Sequence, residues 1–250
     1  TIDIDAIAST IVVTQQAPYS VVVTATPTPA PTPSTPAPTP APASCSDLTD
    51  LGMFSGLHAG EDISLRFDAG TFKCAGPVNI MMVEGTGIIA GVLSGPRSLT
   101  IEGAGMSATV IDLDQKGFLV QMMHAGASVS LKNLCVKNGK NDDGPGGAVA
   151  VMGGTFKATN SWFSNNEAAD GGALTLGGGT MVLDSCLLTD NLAKAVVDDG
   201  GRRAEEGDNG AKSGMGGGIL VTNCDLFSVG LAQNLFILNT TISDNTGDIG

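Results

Sequence analysis

Aromatic residues are scarce in these 250 residues: eight Phe, one Trp and one Tyr make up 4% of the chain. Charge is low too, at 15%, and the basic sign is the scarcer, with 12 Lys and Arg against 25 Asp and Glu for a formal net charge of −13. A body of that sign gives nucleic-acid phosphates no electrostatic footing, so no nucleic-acid partner is expected. No stretch approaches the ~18 consecutive apolar residues that a bilayer-spanning helix needs, so no transmembrane segment is expected. The two His and five Cys have neither C-x-x-C nor Cys/His spacing, which leaves no zinc site and no Cys–His nucleophile. The chain opens on Thr1 with no basic segment before an apolar one, and reads as a processed chain or a fragment whose targeting signal is absent. Gly (35) and Pro (12) are plentiful, so the chain must be rich in turns.

Composition divides the chain into three parts. Residues 1–25 contain two β-branched runs, Thr10–Thr14 and Tyr19–Thr24, on either side of Pro18, and are expected to form an extended β-strand arm too small to fold alone. Its Ile11, Val12, Val13, Val21, Val22 and Val23 are the candidate assembly residues, because an exposed β-branched strand is an aggregation hazard unless something pairs with it. Residues 26–44 alternate eight Pro with Thr, Ala and Ser, which removes backbone donors and holds the chain near polyproline II. At about 3.1 Å per residue this spacer would reach roughly 60 Å as a semi-rigid rod. Its composition resembles the mucin-like or hydroxyproline-rich glycomodules of secreted proteins, including those of plant and algal cell walls. That resemblance implies glycans on Thr26, Pro27, Thr28, Pro29, Pro31, Thr32, Pro33, Ser34, Thr35, Pro36, Pro38, Thr39, Pro40 and Pro42.

Residues 45–250 carry a repeat. GGAVAVMGGTFKATNSWFSNN (146–166) aligns without a gap on GGALTLGGGTMVLDSCLLTDN (171–191), and Gly, apolar and Asn positions coincide. Gly216–Val221 followed by LFILNTTISDN (235–245) repeats the plan with inserted residues, and SVSLKNLCVKNG (128–139) supplies a further second half. Three short strands per period, broken by Gly or Asn and with no glycine-free helical window, predict a coil of parallel strands. Turns stacked at about 4.8 Å would bury aligned apolar ladders; about eight of them would stand roughly 40 Å tall.

SLTIEGAGMSATVIDL (98–113), preceded by ISLRFDAGTFKC (63–74), resembles the opening turns of the pectin-lyase-like right-handed parallel β-helix superfamily. GGAL (171–174) and FSNN (163–166) are similar to the GGA-hydrophobic and F-x-x-N repeats of polymorphic outer-membrane proteins and related cell-surface β-helices. The resemblance implies an all-β, right-handed parallel β-helix and a stacked ladder of Asn166, Asn191 and Asn245. Two departures stand out: Gly217-Gly218-Ile219 replaces GGA-hydrophobic, and Leu188 replaces a Phe.

Candidate sites follow. Cys45 and Cys74 bracket a capping region before the regular coil and are the candidate disulfide, in an oxidising compartment. Cys135 and Cys186, two periods apart, are expected in the interior, and Cys224 has no assignable partner. Gly103-Ala104-Gly105-Met106-Ser107-Ala108 matches a dinucleotide pattern but runs into strand-like sequence, so it reads as a turn. Asp142, Asp143, Asp198 and Asp199 read first as solvated loop charges and, as an alternative, as calcium ligands. The pectate-lyase and polygalacturonase patterns the resemblance brings to mind lack their Gly-His-Gly and Arg-x-Lys here, so no catalytic residue is assigned. Asn239-Thr240-Thr241 is an N-glycosylation sequon. The leading expectation is a secreted, glycosylated structural subunit of an extracellular fibril or cell-surface coat. Its partners would be identical subunits, reached by the N-terminal arm, together with glycans; no cofactor is required, though calcium is a candidate. The alternatives are a lyase or hydrolase acting on acidic polysaccharide and a cell-surface adhesin.

Overall fold

The computed structural model describes residues 42–53, 61–82, 97–194, 215–222 and 233–247. The arm over 1–25 and the spacer residues before Pro42 lie outside the described residues, so of the expected glycosylation positions in the spacer only Pro42 falls within them, exposed. The compact unit that holds the described residues spans Pro40–Gly250 and is nearly all β, with every strand pair parallel.

Sheet 1 stacks Asp62–Arg66, Ser98–Glu102, Ser128–Lys132, Thr155–Thr159, Gly179–Asp184 and Gln233–Leu238. Sheet 2 stacks Gly70–Lys73, Thr109–Asp112, Cys135–Lys137, Trp162–Ser164, Leu187–Thr189 and Thr241–Ser243. Sheet 3 holds Ile80–Met82, Val120–Met122, Val149–Val151, Leu174–Leu176 and Ile219–Val221. The chain visits the sheets in the same cyclic order on each pass, and each strand pairs with its equivalent on the next pass. From Lys140 onward a fourth sheet, Lys140–Pro145, Glu167–Asp170, Leu192–Ala193 and Thr246–Gly247, lies between sheets 2 and 3. A period of three strands therefore understates the later passes. Glu167-Ala168-Ala169-Asp170 is short and carries no β-branched residue, and its place is set by its neighbours rather than by propensity.

Single residues end the strands. Asn133, Asn160, Ser185 and Asn239 follow sheet 1, and Asn138, Asn165, Asp190 and Asp244 follow sheet 2, all with φ between 47° and 56°. Asn and Asp tolerate this left-handed conformation because their short polar side chains bond locally. The Gly-Gly signature has a different cause in each residue. Gly146, Gly171 and Gly216 take φ of 70°, 61° and 71°, whereas a Cβ on Gly147, Gly172 or Gly217 would meet a carbonyl oxygen of the next pass. The register pairs Leu174 with Ile219. The third copy is thus Gly216-Gly217-Gly218-Ile219, with Gly218 in the place of Ala173, and the departure at Gly217-Gly218-Ile219 is one residue rather than a lost motif.

Parallel in-register stacking turns the apolar positions into columns. One runs Leu99, Val129, Phe156, Met181 and Leu235; a second Ile101, Leu131, Ala158, Leu183 and Ile237. Sheet 2 contributes Ile111, Val136, Phe163, Leu188 and Ile242. Sheet 3 contributes Ile80, Val120, Val149, Leu174 and Ile219, and beside them Met82, Met122, Val151, Leu176 and Val221. Phe156 and Phe163 are fully buried, and the core extends unbroken from the first pass to the fifth.

The one helix among the described residues, Cys45–Met53, was not foreseen by the periodicity. Ser44 begins it, and Asp47 three residues on accepts from the Ser44 N–H at 2.6 Å and the Ser44 hydroxyl at 2.7 Å. Leu48 and Leu51 are buried in the core, and Gly52 lies so close to the Val78 carbonyl that no side chain fits. Cys45 and Cys74 are joined in a disulfide with Cα atoms 5.2 Å apart, which ties this helix to the first pass. The helix thereby covers the sheet 3 part of the first pass, Ile80 and Met82, while Ile63, Leu65 and Phe72, which head the columns of sheets 1 and 2, stay half-buried.

Removing the tie by Cys74→Ser should lower stability by about 2–4 kcal/mol in denaturant titration, the loss typical of a disulfide of this kind. The Ser44 hydrogen bonds also hold the Asp47 carboxyl below its ordinary value of 3.8. The contribution of that cap is therefore complete above the ordinary value and fades as pH falls through the lower folded one. Melting temperatures measured between about pH 5 and pH 2 should decline more steeply for the native chain than for Asp47→Ala.

Candidate functional site

The two ends of the coil differ. At the first pass Ile80 and Met82 head their columns fully buried beneath the helix. At the last described strand of each sheet the same kinds of position are bare: Ile237 is 43%, Ile242 44% and Val221 46% exposed, although Leu183, Leu188 and Leu176 beneath them are fully buried. The strands Gln233–Leu238, Thr241–Ser243, Ile219–Val221 and Thr246–Gly247 are the terminal members of their sheets, and no described strand pairs with their outer edges. Unpaired amides and carbonyls beside exposed β-branched side chains form a template for strand addition.

The outer face of sheet 1 changes character at the same end. Its central outward column runs Ser64, Thr100, Ser130 and Lys157 and then becomes Val182 and Phe236. Phe236 is 52% and Leu238 51% exposed. A polar, solvated face thus becomes apolar on the passes nearest the open end, and the apolar surface continues from the end onto the side of the coil. These exposed apolar side chains make this end the candidate interaction surface.

Asn166, Asn191 and Asn245 form one hydrogen-bonded column. The Asn166 N–H and Nδ2 both donate to Asn191 Oδ1, at 3.0 and 2.9 Å, and the Asn191 N–H and Nδ2 both donate to Asn245 Oδ1, at 3.0 and 2.8 Å. The Nδ2 groups also bond back to the carbonyls of Val136, Phe163 and Leu188. At the near end the Gly139 N–H donates to Asn166 Oδ1 at 2.8 Å, and the Gly147 carbonyl leaves no room there for a side chain. The column ends at Asn245 on the exposed pass, where the Nδ2 turns to Ser243 O. A shorter stack of the same design, Asn160 Nδ2 to Asn133 Oδ1 at 2.8 Å, follows sheet 1.

The remaining candidates separate. Asp142 and Asp143 lie on Lys140–Pro145 beside a cleft of about 300 Å³ that Lys116 and Lys140 share. Lys140 Nζ stands 3.2 Å from Asp142 and 3.8 Å from Glu167 Oε1, so an ammonium occupies the neighbourhood a cation would take. Asp198, Asp199 and Cys224 lie outside the described residues, within which no three His, Cys, Asp or Glu side chains gather as a metal-holding group. Cys135 and Cys186 are buried free thiols, and burial pushes both up from the ordinary thiol value. Gly103–Ala108 runs directly into the strand Thr109–Asp112; the Ala104 N–H donates to Thr109 Oγ1, and no helix follows. Asn239 is exposed on its left-handed turn, while Thr240 accepts from the Cys186 N–H. The outward change to Val182, Phe236 and Leu238 was missed in the sequence, where it looks like ordinary strand composition. The signal was there, in two consecutive strands carrying apolar residues on both faces.

No family model, curated protein or solved structure matches this chain.

Truncating the middle of the Asn column should cost more than truncating its end. Asn191→Ala strands two buried donors of Asn166, at about 1–3 kcal/mol per orphaned group. Asn245→Ala acts on the exposed pass, where water can substitute. Urea midpoints for the two variants test the order.

Proposed function

We propose that this chain is a secreted, glycosylated structural subunit that assembles head to tail into an extracellular fibril or cell-surface coat, the N-terminal arm of one copy adding to the open end of another. The body is read as a right-handed parallel β-helix, of which six turns fall among the described residues, where length alone suggested about eight. The hand follows from the near-universal right-handedness of crossovers between parallel strands of one sheet. The reading draws on the resemblance to the pectin-lyase-like superfamily and to the repeats of polymorphic outer-membrane proteins, which rests on Ser98–Leu113, Phe163–Asn166 and Gly171–Leu174.

The observation that supports this reading is the asymmetry of the described ends: at one, a disulfide-tied helix buries Ile80 and Met82 and the other column heads, Ile63, Leu65 and Phe72, are half-buried, whereas at the other the interior residues Ile237, Ile242 and Val221 are exposed. A contact between unlike surfaces propagates unless its rotation closes a ring, and a subunit whose two ends differ can extend in a fixed sense. The Cys45–Cys74 disulfide suits an oxidising compartment, and the exposed Asn239 sequon and the Thr/Pro spacer suit passage through a glycosylating one.

Electron microscopy of the full chain and of a form lacking residues 1–25 tests the proposal. Filaments from the full chain, and monomers with unaltered β circular dichroism from the truncated one, are the expected result. Equal filaments from both would overturn it.

A further inference from the structure

We infer that Tyr19–Thr24 is the strand that closes the open end, laid parallel onto Gln233–Leu238 of a second copy with Val22 stacked on Phe236; this rests on the strand-addition reading above. The argument begins with the strands already stacked in sheet 1. Gly179–Asp184 (GTMVLD) and Gln233–Leu238 (QNLFIL) are paired residue for residue. Their second positions, Thr180 and Asn234, are polar and face outward. Their third and fifth positions, Met181 and Leu183 then Leu235 and Ile237, face the core, and their fourth, Val182 and Phe236, faces outward and is apolar. Tyr19–Thr24 reads YSVVVT, six residues against six, with Ser20 in the second place, Val21 and Val23 in the core-facing places and Val22 in the outward apolar place.

This alignment is restrictive. A slip of one residue would turn Ser20, Val22 and Thr24 toward the core columns and Val21 and Val23 to the outside. The other exposed edges, Thr241–Ser243 and Ile219–Val221, offer three residues each, too few for this run. The outward apolar position matters most. Over the first four passes of sheet 1 the equivalent place is Ser64, Thr100, Ser130 or Lys157, and an added Val would have no apolar neighbour there. Only at Val182 and Phe236 does the column offer one.

The occupant comes from another copy because of reach. Ala43 is fixed to its own first pass, its N–H donating to the Arg66 carbonyl at 2.6 Å. The described passes of sheet 1 span about 24 Å at the usual inter-strand spacing. A spacer of that composition, at about 3.1 Å per residue in polyproline II, would reach roughly 60 Å, overshoot that distance and be too stiff to fold back along it.

Stacked outward residues of adjacent strands stand about 4.8 Å apart at Cα, within disulfide reach. The test is the full chain carrying Val22→Cys together with Phe236→Cys, oxidised and run without reductant beside the parent chain, with circular dichroism to check the fold of each variant. A ladder of covalent multimers is expected, absent when Val21→Cys replaces Val22→Cys. Three results overturn the inference: a cross-linked monomer, which places the arm on its own body; multimers from Val12→Cys with Phe236→Cys but not from Val22→Cys, which assigns the edge to the other run; and equal multimers from Val21→Cys and Val22→Cys, which removes the register. The second and third leave strand addition itself standing, whereas filaments that survive deletion of residues 1–25 remove both.

Discussion

Everything in this body depends on one constraint: in a stack of parallel strands, the amides and carbonyls of each pass find their partners only on the pass before and the pass after. Backbone satisfaction therefore fixes the register between passes, and the register makes every side-chain position a column. Once Thr155 pairs with Ser128 and Thr180, Phe156 must lie between Val129 and Met181, and the same step carries Asn166 to Asn191. Core, glycine contacts and asparagine ladder are consequences of the same pairing, which is why they share one spacing.

The constraint also explains what could be read from the chain. Because the register is a translation along the sequence, the gapless match of residues 146–166 on 171–191 is itself the pairing of Val149 with Leu174 and of Trp162 with Leu187. The Asn column was an implication of the resemblance, and its members lie at sequence separations of 25 and 54. The helix Cys45–Met53 was not legible, because it occurs once, is only nine residues long and contains Gly52, whose absent side chain serves contact with Val78 rather than a turn. The fourth sheet was hidden by composition, since Glu167–Asp170 and Leu192–Ala193 are strands by virtue of neighbours that hold them.

The candidate site was legible only in outline. Which side chains the last described strands bare depends on which face of each strand points inward. Ile237 and Ile242 are core residues by column and surface residues by exposure, a combination no periodicity reveals. Phe236 and Leu238 add apolar surface where earlier strands carry hydroxyls and charges, and so set the end apart chemically as well as geometrically. The acidic pair at Asp142 and Asp143, conspicuous in the sequence, instead has Lys116 and Lys140 as neighbours.

The Asn column crosses two very different lengths of chain in equal steps. Asn166 and Asn191 are 25 residues apart and Asn191 and Asn245 are 54 apart, yet the hydrogen bonds joining the second pair match those joining the first to within 0.1 Å. The advance of the coil is thus uncoupled from the mass it carries: sequence can be added at a turn and leave the axial rise unchanged. For a repeating scaffold this separates two properties that most folds bind together. What the surface displays can diversify freely between related chains while the spacing at which it is displayed stays constant.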